Sequence, residues 1–338
     1  MKQQSRRKPW MTFLLLGAML AMVPGMTPQA VGAQTTTELR MATVAPEGSP
    51  WMRVFRAWDN ELRERTGGQL GLRFYAGGSQ GQEQDYIDKM GSGQLDGAAV
   101  TSTGLGQIVK PVLVLSAPGA IQDYEQLDRV RRRMNRRFET QFNRSGYQLL
   151  GWGDVGKSRL FSKHRIAQPS DLRSRRPWVP STDEIFSEVL NVVGANPRRL
   201  GISEVYPALQ TGMVDTVPGS ALAAVSLQWY TKLNFYSEQS TGVLIGATIL
   251  KKSKFDSLSA EHQTALMETS QRAHRLLQRA IRREDDRSLR VLARRLTAVD
   301  TSAHEAEWRQ VAETARNNLA GRVYPRALLQ AVMRAAGN

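Results

Sequence analysis

The sequence predicts an α/β fold with a parallel sheet, and three observations in the first third of the chain support it. Residues 38–43 have the pattern of a short strand, residues 70–75 alternate like a second strand, and residues 94–101 form a third, more buried strand. The segments between them carry apolar side chains at helical spacing. Strand, helix, strand, helix, strand is the order that builds a parallel α/β sheet.

Local patterns place the individual elements. The first helix is predicted from four apolar residues at helical spacing: Trp51, Phe55, Trp58 and Leu62. A second helix is predicted over residues 83–90. Further along, we expect strands at 151–163 and 242–250 and helices at 183–193, from 203 onward, from 259 to about 296, and at 305–319.

The N-terminal residues are typical of a secretory signal peptide. A basic start is followed by an uncharged apolar stretch over residues 11–26 and by small or apolar residues at 31–33. We expect cleavage after Ala33 and export to the periplasm. The chain has no cysteine, which excludes disulfides, thiol catalysis, cysteine zinc sites and a lipoprotein anchor.

The chain is strongly basic, with a formal net charge of +15. Such a charge often indicates nucleic-acid binding, but export favours an anionic lipid, a glycan or an acidic solute as the partner. Two stretches, residues 129–144 and 272–295, are rich in arginine. The simplest interpretation is a solvated helix face. The alternative is a docking surface for an anionic lipid or another envelope component.

Two patterns resemble catalytic motifs without the context that catalysis needs. Residues 151–158, GWGDVGKS, match the phosphate-loop pattern, but a strand pattern follows where a helix is required. The four histidines, His164, His262, His274 and His304, lack metal-ligand spacing, and His262 and His274 are predicted on helix surfaces. We therefore predict no catalytic residue, no metal site and no cofactor.

Four segments, in order, resemble the TRAP transporter solute-binding proteins, the DctP-like family. They are APEGSP at 45–50, SQG at 79–81 followed by Glu83, SGQLD at 92–96 and SEVYPALQTGMVD at 203–215. The resemblance implies a fold of the periplasmic binding protein type, with two α/β domains around a cleft and a long bridging helix. It assigns residues 34–155 and about 244–283 to domain I, and residues 156–243 and about 284–338 to domain II.

The same resemblance implies where a ligand would bind, and the sequence departs from the family there. The arginine that pairs with the carboxylate of the solute corresponds to Trp178. A second family arginine is retained as Arg159, and Arg176 is a possible substitute two residues before Trp178. The remaining ligand-binding positions implied by the resemblance are Val44, Thr101, Ile202, Gly219, Glu204 and Tyr206.

Replacing a guanidinium by an indole removes a bidentate charge partner and adds a large apolar face. We therefore predict a periplasmic receptor that captures an amphipathic or hydrophobic ligand, such as a fatty-acid-like, lipid-derived or aromatic molecule, with a monocarboxylate as one option. Its partner would be a TRAP-type membrane permease. Two alternatives remain: Trp178 fills a cleft that no longer binds a solute, or the fold serves as a signalling or envelope scaffolding module. Enzymatic activity is not predicted.

Overall fold

The predicted alternation of strands and helices is present at the start of the computed structural model, which describes residues 36–337. The elements are β1 (Thr37–Thr43), α1 (Pro50–Arg65), β2 (Leu70–Tyr75), α2 (Glu83–Gly91) and β3 (Gly97–Thr101). Strand β1 pairs in parallel with β2 on one side and with β3 on the other. The predicted signal peptide lies outside the described residues.

Strand β3 begins later than the sequence predicts. The backbone N–H groups of Gln94 and Leu95 both donate to the carbonyl of Lys89, in the last turn of α2 (2.9 and 3.1 Å). These two residues are therefore tied to the end of the helix, and the strand starts at Gly97.

The rest of the chain adds seven strands and nine helices among the described residues. They are α3 (Ser102–Ile108), α4 (Tyr124–Arg144), β4 (Tyr147–Ser162), β5 (Trp178–Val179), α5 (Ile185–Val193), β6 (Arg198–Arg199), α6 (Val205–Thr211), β7 (Thr216–Gly219), α7 (Ala221–Ser226), β8 (Phe235–Ser237), β9 (Gly242–Lys251), α8 (Lys252–Asp256), α9 (Ala260–Leu292), β10 (Thr297–Val299), α10 (Glu305–Leu319) and α11 (Arg326–Ala336).

One eight-stranded sheet runs through the molecule. Its order is β10-β8-β4-β9-β3-β1-β2, and β7 also pairs with β4. Strand β9 is antiparallel to both β3 and β4 and joins the two halves of this sheet. A separate two-stranded parallel sheet is formed by β5 and β6.

Helix α9 lies against β4 so closely that the strand has glycine at two facing positions. A Cβ at Gly151 would collide with the His274 ring. Gly156 has φ +128°, and a Cβ there would lie 2.5 Å from the Ser220 Cβ and 2.8 Å from the Asp285 Cγ. These are the two glycines of the phosphate-loop pattern. The prediction that this match is coincidental is supported, because the motif lies inside β4 and its glycines make room for α9.

Two side chains predicted on solvated surfaces are buried instead. His274 is 4% exposed, on the side of α9 that faces β4. Arg131 is 7% exposed and belongs to the arginine-rich stretch of α4. The reason is helical spacing: Arg131 follows the buried Leu127 by four residues, and His274 follows the buried Ser270 by four.

Apolar residues pack in four clusters, and α9 contributes to two of them. Leu266, Leu277 and Ile281 pack with α1 and β2, while Leu292 packs with α6, α7 and β7. The helix has 33 residues and is about 50 Å long at 1.5 Å per residue. The division into two domains at the predicted boundaries remains a prediction. Within residues 36–337, no helix has the length and apolarity needed to span a membrane.

Candidate ligand-binding site

An apolar pocket opens where the ends of β1 and β3 meet β4, β9 and α9. Its volume is about 100 Å³. Its walls are made mainly of apolar side chains and backbone: Thr43, Val44, Ala45, Pro46, Trp51, Phe55, Ala99, Val100, Thr101, Gly153, Asp154, Val155, Ile202, Ala223, Leu227, Gly246, Ala247, Thr248 and Leu277. A cavity of about 150 Å³ with apolar walls binds benzene in another protein. This pocket has about two-thirds of that volume, so it takes a short branched chain or part of a ring.

Trp51 fixes one wall of the pocket to β4. Its Nε1–H donates to the Asp154 backbone carbonyl at 3.1 Å. Trp51 comes directly after the loop that follows β1, and Val44 of that loop lines the same pocket. The helical spacing predicts Trp51 only as part of the first helix. Its position at the start of α1, directly after the loop that follows β1, is the feature that indicates its place beside that loop.

Asp154 contributes its backbone to the pocket, but its carboxylate is already neutralised. Oδ1 accepts from Arg131 Nη1 at 2.5 Å, and Oδ2 accepts from Arg282 Nε at 2.7 Å. Arg131 Nη2 also donates to the Gly153 carbonyl at 2.7 Å, and Arg282 pairs with Asp128. Asp154 is 1% exposed. Because two arginines already bind it, this carboxylate offers no free charge to a ligand.

Thr248 and His274 form a polar contact behind the pocket. His274 Nε2 lies 2.8 Å from Thr248 Oγ1, and Nδ1 lies 2.8 Å from the Ser270 carbonyl. A carbonyl only accepts, so Nδ1 carries the proton and the Nε2 of a neutral ring accepts from the threonine hydroxyl. Burial lowers the pKa of His274 to about 4. The imidazole is therefore neutral at physiological pH, and no cation faces the pocket from this side.

Arg159 lies on β4, four residues beyond the pocket residue Val155. Its side chain is 7% exposed, and its Nε is buried without a hydrogen-bond partner. Within the described part of the chain, its guanidinium forms no ion pair. The buried carboxyl of Asp285 lies close enough to be influenced: burial raises the pKa of Asp285, while N–H bonds from Leu222 and Lys157 and the charge of Arg159 act in the opposite direction. Arg159 is thus a buried cation without a direct partner.

Trp178 packs within the protein. It is 5% exposed, and its Nε1–H donates to the Leu200 carbonyl at 2.9 Å. Its ring meets Trp229 edge-on, with centroids 5.4 Å apart. Trp229 in turn covers Gly219, where a Cβ would lie 3.3 Å from the indole, and Gly219 is the strand partner of Arg159. The Trp178–Trp229 pair therefore forms an apolar wall that adjoins the Arg159 position.

The other predicted residues fall in two groups. Val44, Thr101 and Ile202 line the pocket. The Thr101 hydroxyl donates to Glu83 Oε2 at 2.8 Å, so it is already engaged.

Arg176, Glu204 and Tyr206 lie away from the pocket lining. Arg176 is exposed and donates through Nε to Asp215 at 3.3 Å. Glu204 accepts the Gly201 N–H at 2.6 Å, and Tyr206 carries Lys232 over its ring at 5.5 Å. Each of the three therefore has a structural partner inside the chain. A role in ligand binding remains a prediction for all nine predicted residues.

Within the described residues, no group of three or more His, Cys, Asp or Glu side chains is arranged to hold a metal ion. Arg159 is not among the residues that line the apolar pocket.

The comparison with known proteins defines the family. Residues 41–321 match the bacterial extracellular solute-binding protein family 7, DctP, and the chain belongs to this family. The family consists of solute receptors, so the resemblance found in the sequence is confirmed and the chain is not grouped with enzymes.

Individual relatives agree with this assignment. The chain is 24% identical over 276 residues to a solute-binding protein of Chromohalobacter salexigens, covering 80% of each chain. It is also 24% identical over 276 residues to the C4-dicarboxylate-binding periplasmic protein DctP of Rhodobacter capsulatus, covering 78% of this chain and 80% of that one. Proteins of this family are periplasmic binding proteins.

Solved structures confirm the fold class. A TRAP periplasmic solute-binding protein of Shewanella oneidensis with bound succinate superimposes with a TM-score of 0.84 at 17% identity, covering 89% of this chain and 100% of that chain. One from Roseobacter denitrificans with bound β-D-glucuronate gives 0.77 at 22% identity, covering 88% and 99%. The predicted α/β fold of the periplasmic binding protein type is therefore confirmed.

Proposed function

We propose that this protein captures a small monocarboxylate with a short apolar or aromatic group and delivers it to a TRAP-type membrane permease. The carboxylate would pair with Arg159, and the apolar group would enter the pocket beside Val44, Trp51 and Leu277. The observation that carries the proposal is that Arg159, 7% exposed and with its Nε buried without a hydrogen-bond partner, has no ion-paired acid among the described residues.

The energetic argument rests on desolvation. An arginine stays charged at any physiological pH, and burying an unpaired ion costs several kcal/mol. A ligand carboxylate would offset that cost with charge-assisted, bidentate hydrogen bonds. The two structural relatives described above are consistent with this choice, because the solutes bound to them, glucuronate and succinate, are carboxylates.

The lining of the pocket determines which chemical group is attached to the carboxylate in the ligand. With Arg131 and Arg282 bound to Asp154, and the buried His274 neutral, the pocket presents no second cation for another carboxylate. At about 25 cal/mol per Å² of apolar surface buried, a ring or branched chain contributes more here than hydroxyl groups that would be left unpaired. The volume of about 100 Å³ favours a short group over a long acyl chain.

Calorimetric titration with chemically matched acids tests the proposal. Phenylacetate and 4-methylpentanoate should bind, whereas succinate, glucuronate and hexadecanoate should bind more weakly. Tight, salt-sensitive binding of succinate or glucuronate in preference to the two apolar acids would overturn it.

Substitution of the arginine assigns the carboxylate contact. Arg159→Met should weaken phenylacetate binding by about 30-fold or more, which corresponds to the loss of one partner of a buried charge pair. Arg165→Met, an exposed arginine without a hydrogen bond or ion pair to other described residues, is the control and should leave binding unchanged. A comparable loss with Arg176→Met, but not with Arg159→Met, would move the carboxylate contact to Arg176.

A further inference from the structure

Helices α4 and α9 carry eight exposed arginines without a hydrogen-bonded or ion-paired partner among residues 36–337: Arg132, Arg136, Arg137, Arg144, Arg275, Arg279, Arg283 and Arg290. Five of them recur at four-residue intervals, Arg132 and Arg136 on α4 and Arg275, Arg279 and Arg283 on α9. By contrast, the neighbouring Arg129 donates to the Ala336 carbonyl at the end of α11 (2.7 Å), and Arg282 is bound by two acids. The unpaired arginines are therefore a distinct subset of a basic region.

The contacts between the two helices place these five arginines on one surface. Arg282 of α9 donates to both carboxylate oxygens of Asp128 on α4, at 2.7 and 2.6 Å. Trp152 of β4 connects the helices a little further along, because its Nε1–H donates to Asn135 and its carbonyl accepts from Gln278. Residues 128–135 of α4 therefore lie beside residues 278–282 of α9.

Helical spacing then directs the five arginines outward from this junction. Arg132 and Arg136 lie one and two turns after Asp128 on α4. Arg275, Arg279 and Arg283 follow one another at intervals of four residues on α9. We name these five residues the basic face.

Acids also adjoin the basic face. Asp128 is paired with Arg282, and Glu139 accepts from Asn135 Nδ2 at 2.7 Å. Asp286, three residues after Arg283, is exposed. Leu276 lies next to Arg275 and is 49% exposed, which makes it one of three large apolar side chains exposed to this degree in the described chain. The surface is therefore cationic with one protruding apolar group.

We propose that the basic face binds the phosphate head groups of an anionic phospholipid bilayer. Guanidinium groups match phosphate oxygens in a bidentate geometry, and several arginines at one surface add their attraction to an anionic membrane. Leu276 lies where it would enter the head-group layer. Two helices side by side present an extended surface rather than a cleft, which suits a bilayer better than a small phosphate.

The test is vesicle sedimentation at about 0.1 M salt, where the Debye length is about 10 Å, with the protein purified as the cell processes it. Wild type should partition onto vesicles of phosphatidylcholine with 30% phosphatidylglycerol, but not onto phosphatidylcholine alone. The basic-face variant Arg132→Gln, Arg136→Gln, Arg275→Gln, Arg279→Gln should partition about 600-fold less, at about five-fold per arginine. Binding should also weaken at about 0.5 M salt, because the Debye length falls below about 5 Å.

A charge-matched control separates the basic face from net charge. The control variant replaces four exposed arginines elsewhere: Arg165→Gln, Arg198→Gln, Arg294→Gln and Arg326→Gln. It should retain vesicle binding within about two-fold, because charges remote from the contact are screened beyond a Debye length.

Three outcomes would overturn the proposal: wild type that does not bind anionic vesicles, equal losses of vesicle binding in the two quadruple variants, or an unchanged partition coefficient in the basic-face variant. If wild type does not bind vesicles but is retained on immobilised polyglutamate, and only the basic-face variant loses that retention, the face binds an acidic protein surface instead. Circular dichroism of both variants excludes loss of folding as the cause.

Discussion

Arg131 and Arg159 make an instructive comparison, because both are buried to the same degree and differ in their partners. Each side chain is 7% exposed. Arg131 donates to the Asp154 carboxylate and to the Gly153 carbonyl, whereas the Arg159 guanidinium lacks a hydrogen-bond partner among the described residues. Burial alone therefore does not distinguish an arginine that already has partners from one that is available to a ligand. The hydrogen bonds of the terminal nitrogens make that distinction.

The largest expected effect is on the paired arginine. Arg131→Met leaves Asp154, which is 1% exposed, with Arg282 as its remaining ion-pair partner. Breaking a buried ion pair by removing one partner lowers the free energy of unfolding by about 3–5 kcal/mol. Urea denaturation followed by circular dichroism measures the change. The exposed neighbour variant Arg132→Met should stay within about 0.5 kcal/mol of wild type, and equal losses in the two would contradict the comparison.

His274 sharpens the comparison, because a buried imidazole can lose its proton and become neutral, whereas an arginine stays charged. Burial lowers the pKa of His274 in the folded protein to about 4, from a usual value of 6.5. The folded state then binds fewer protons than the unfolded state between these values, so stability is retained above pH 6.5 and is lost as the pH falls toward 4. The loss is up to about 3 kcal/mol.

Denaturation at a series of pH values checks this expectation. His274→Gln should flatten the pH dependence between 6.5 and 4, while His262→Gln on the same helix should leave it unchanged. An unaltered profile in the His274 variant would show that other groups set the acid sensitivity.

The unpaired arginine should respond in the opposite direction to Arg131. Arg159→Met removes an uncompensated buried charge and replaces it with an apolar side chain of similar length. We expect the free energy of unfolding of the ligand-free protein to rise by about 1–2 kcal/mol, within the range seen when buried ions are replaced by hydrophobic residues. A loss of stability comparable to that of Arg131→Met would show that Arg159 has a structural role.

The smallest expected effect concerns the wall beside Arg159. Trp178→Phe removes the Nε1–H that donates to Leu200, whereas Trp229 makes no such hydrogen bond with the described residues. Trp178→Phe should therefore cost about 1 kcal/mol more than Trp229→Phe, the net value of a typical hydrogen bond. The difference between the two unfolding free energies is the measurement, and equal costs would reduce Trp178 to a packing residue.

Much of the fold follows from the sequence, because it depends on local periodicity. The alternation from β1 to β3, the long helix α9 and the strand context of the phosphate-loop pattern are all readable from residue spacing. The departures have the same origin. Arg131 and His274 lie four residues after buried positions, so their burial was encoded in the helical repeat, but their polarity favoured a surface prediction.

The candidate site was harder to predict, because it depends on contacts between distant segments. Val44, Thr101 and Ile202 were predicted and line the pocket, whereas Trp51 and Leu277 were not predicted as pocket residues. The Trp51 hydrogen bond to Asp154 joins residues 103 positions apart, and no local pattern contains it. The missing partner of Arg159 is likewise a property of the folded chain, since sequence alone cannot show that a charge is left without an acid.

The fit between Gly151, Gly156 and helix α9 has a mechanical consequence. Where only a hydrogen atom separates a strand from a helix, neither can slide or roll past the other without steric overlap. The middle of β4 and the middle of α9 must then move together as one rigid unit whenever the molecule changes conformation. Any bending has to occur outside this unit, so crosslinks between β4 and α9 within it should be tolerated during solute uptake and release.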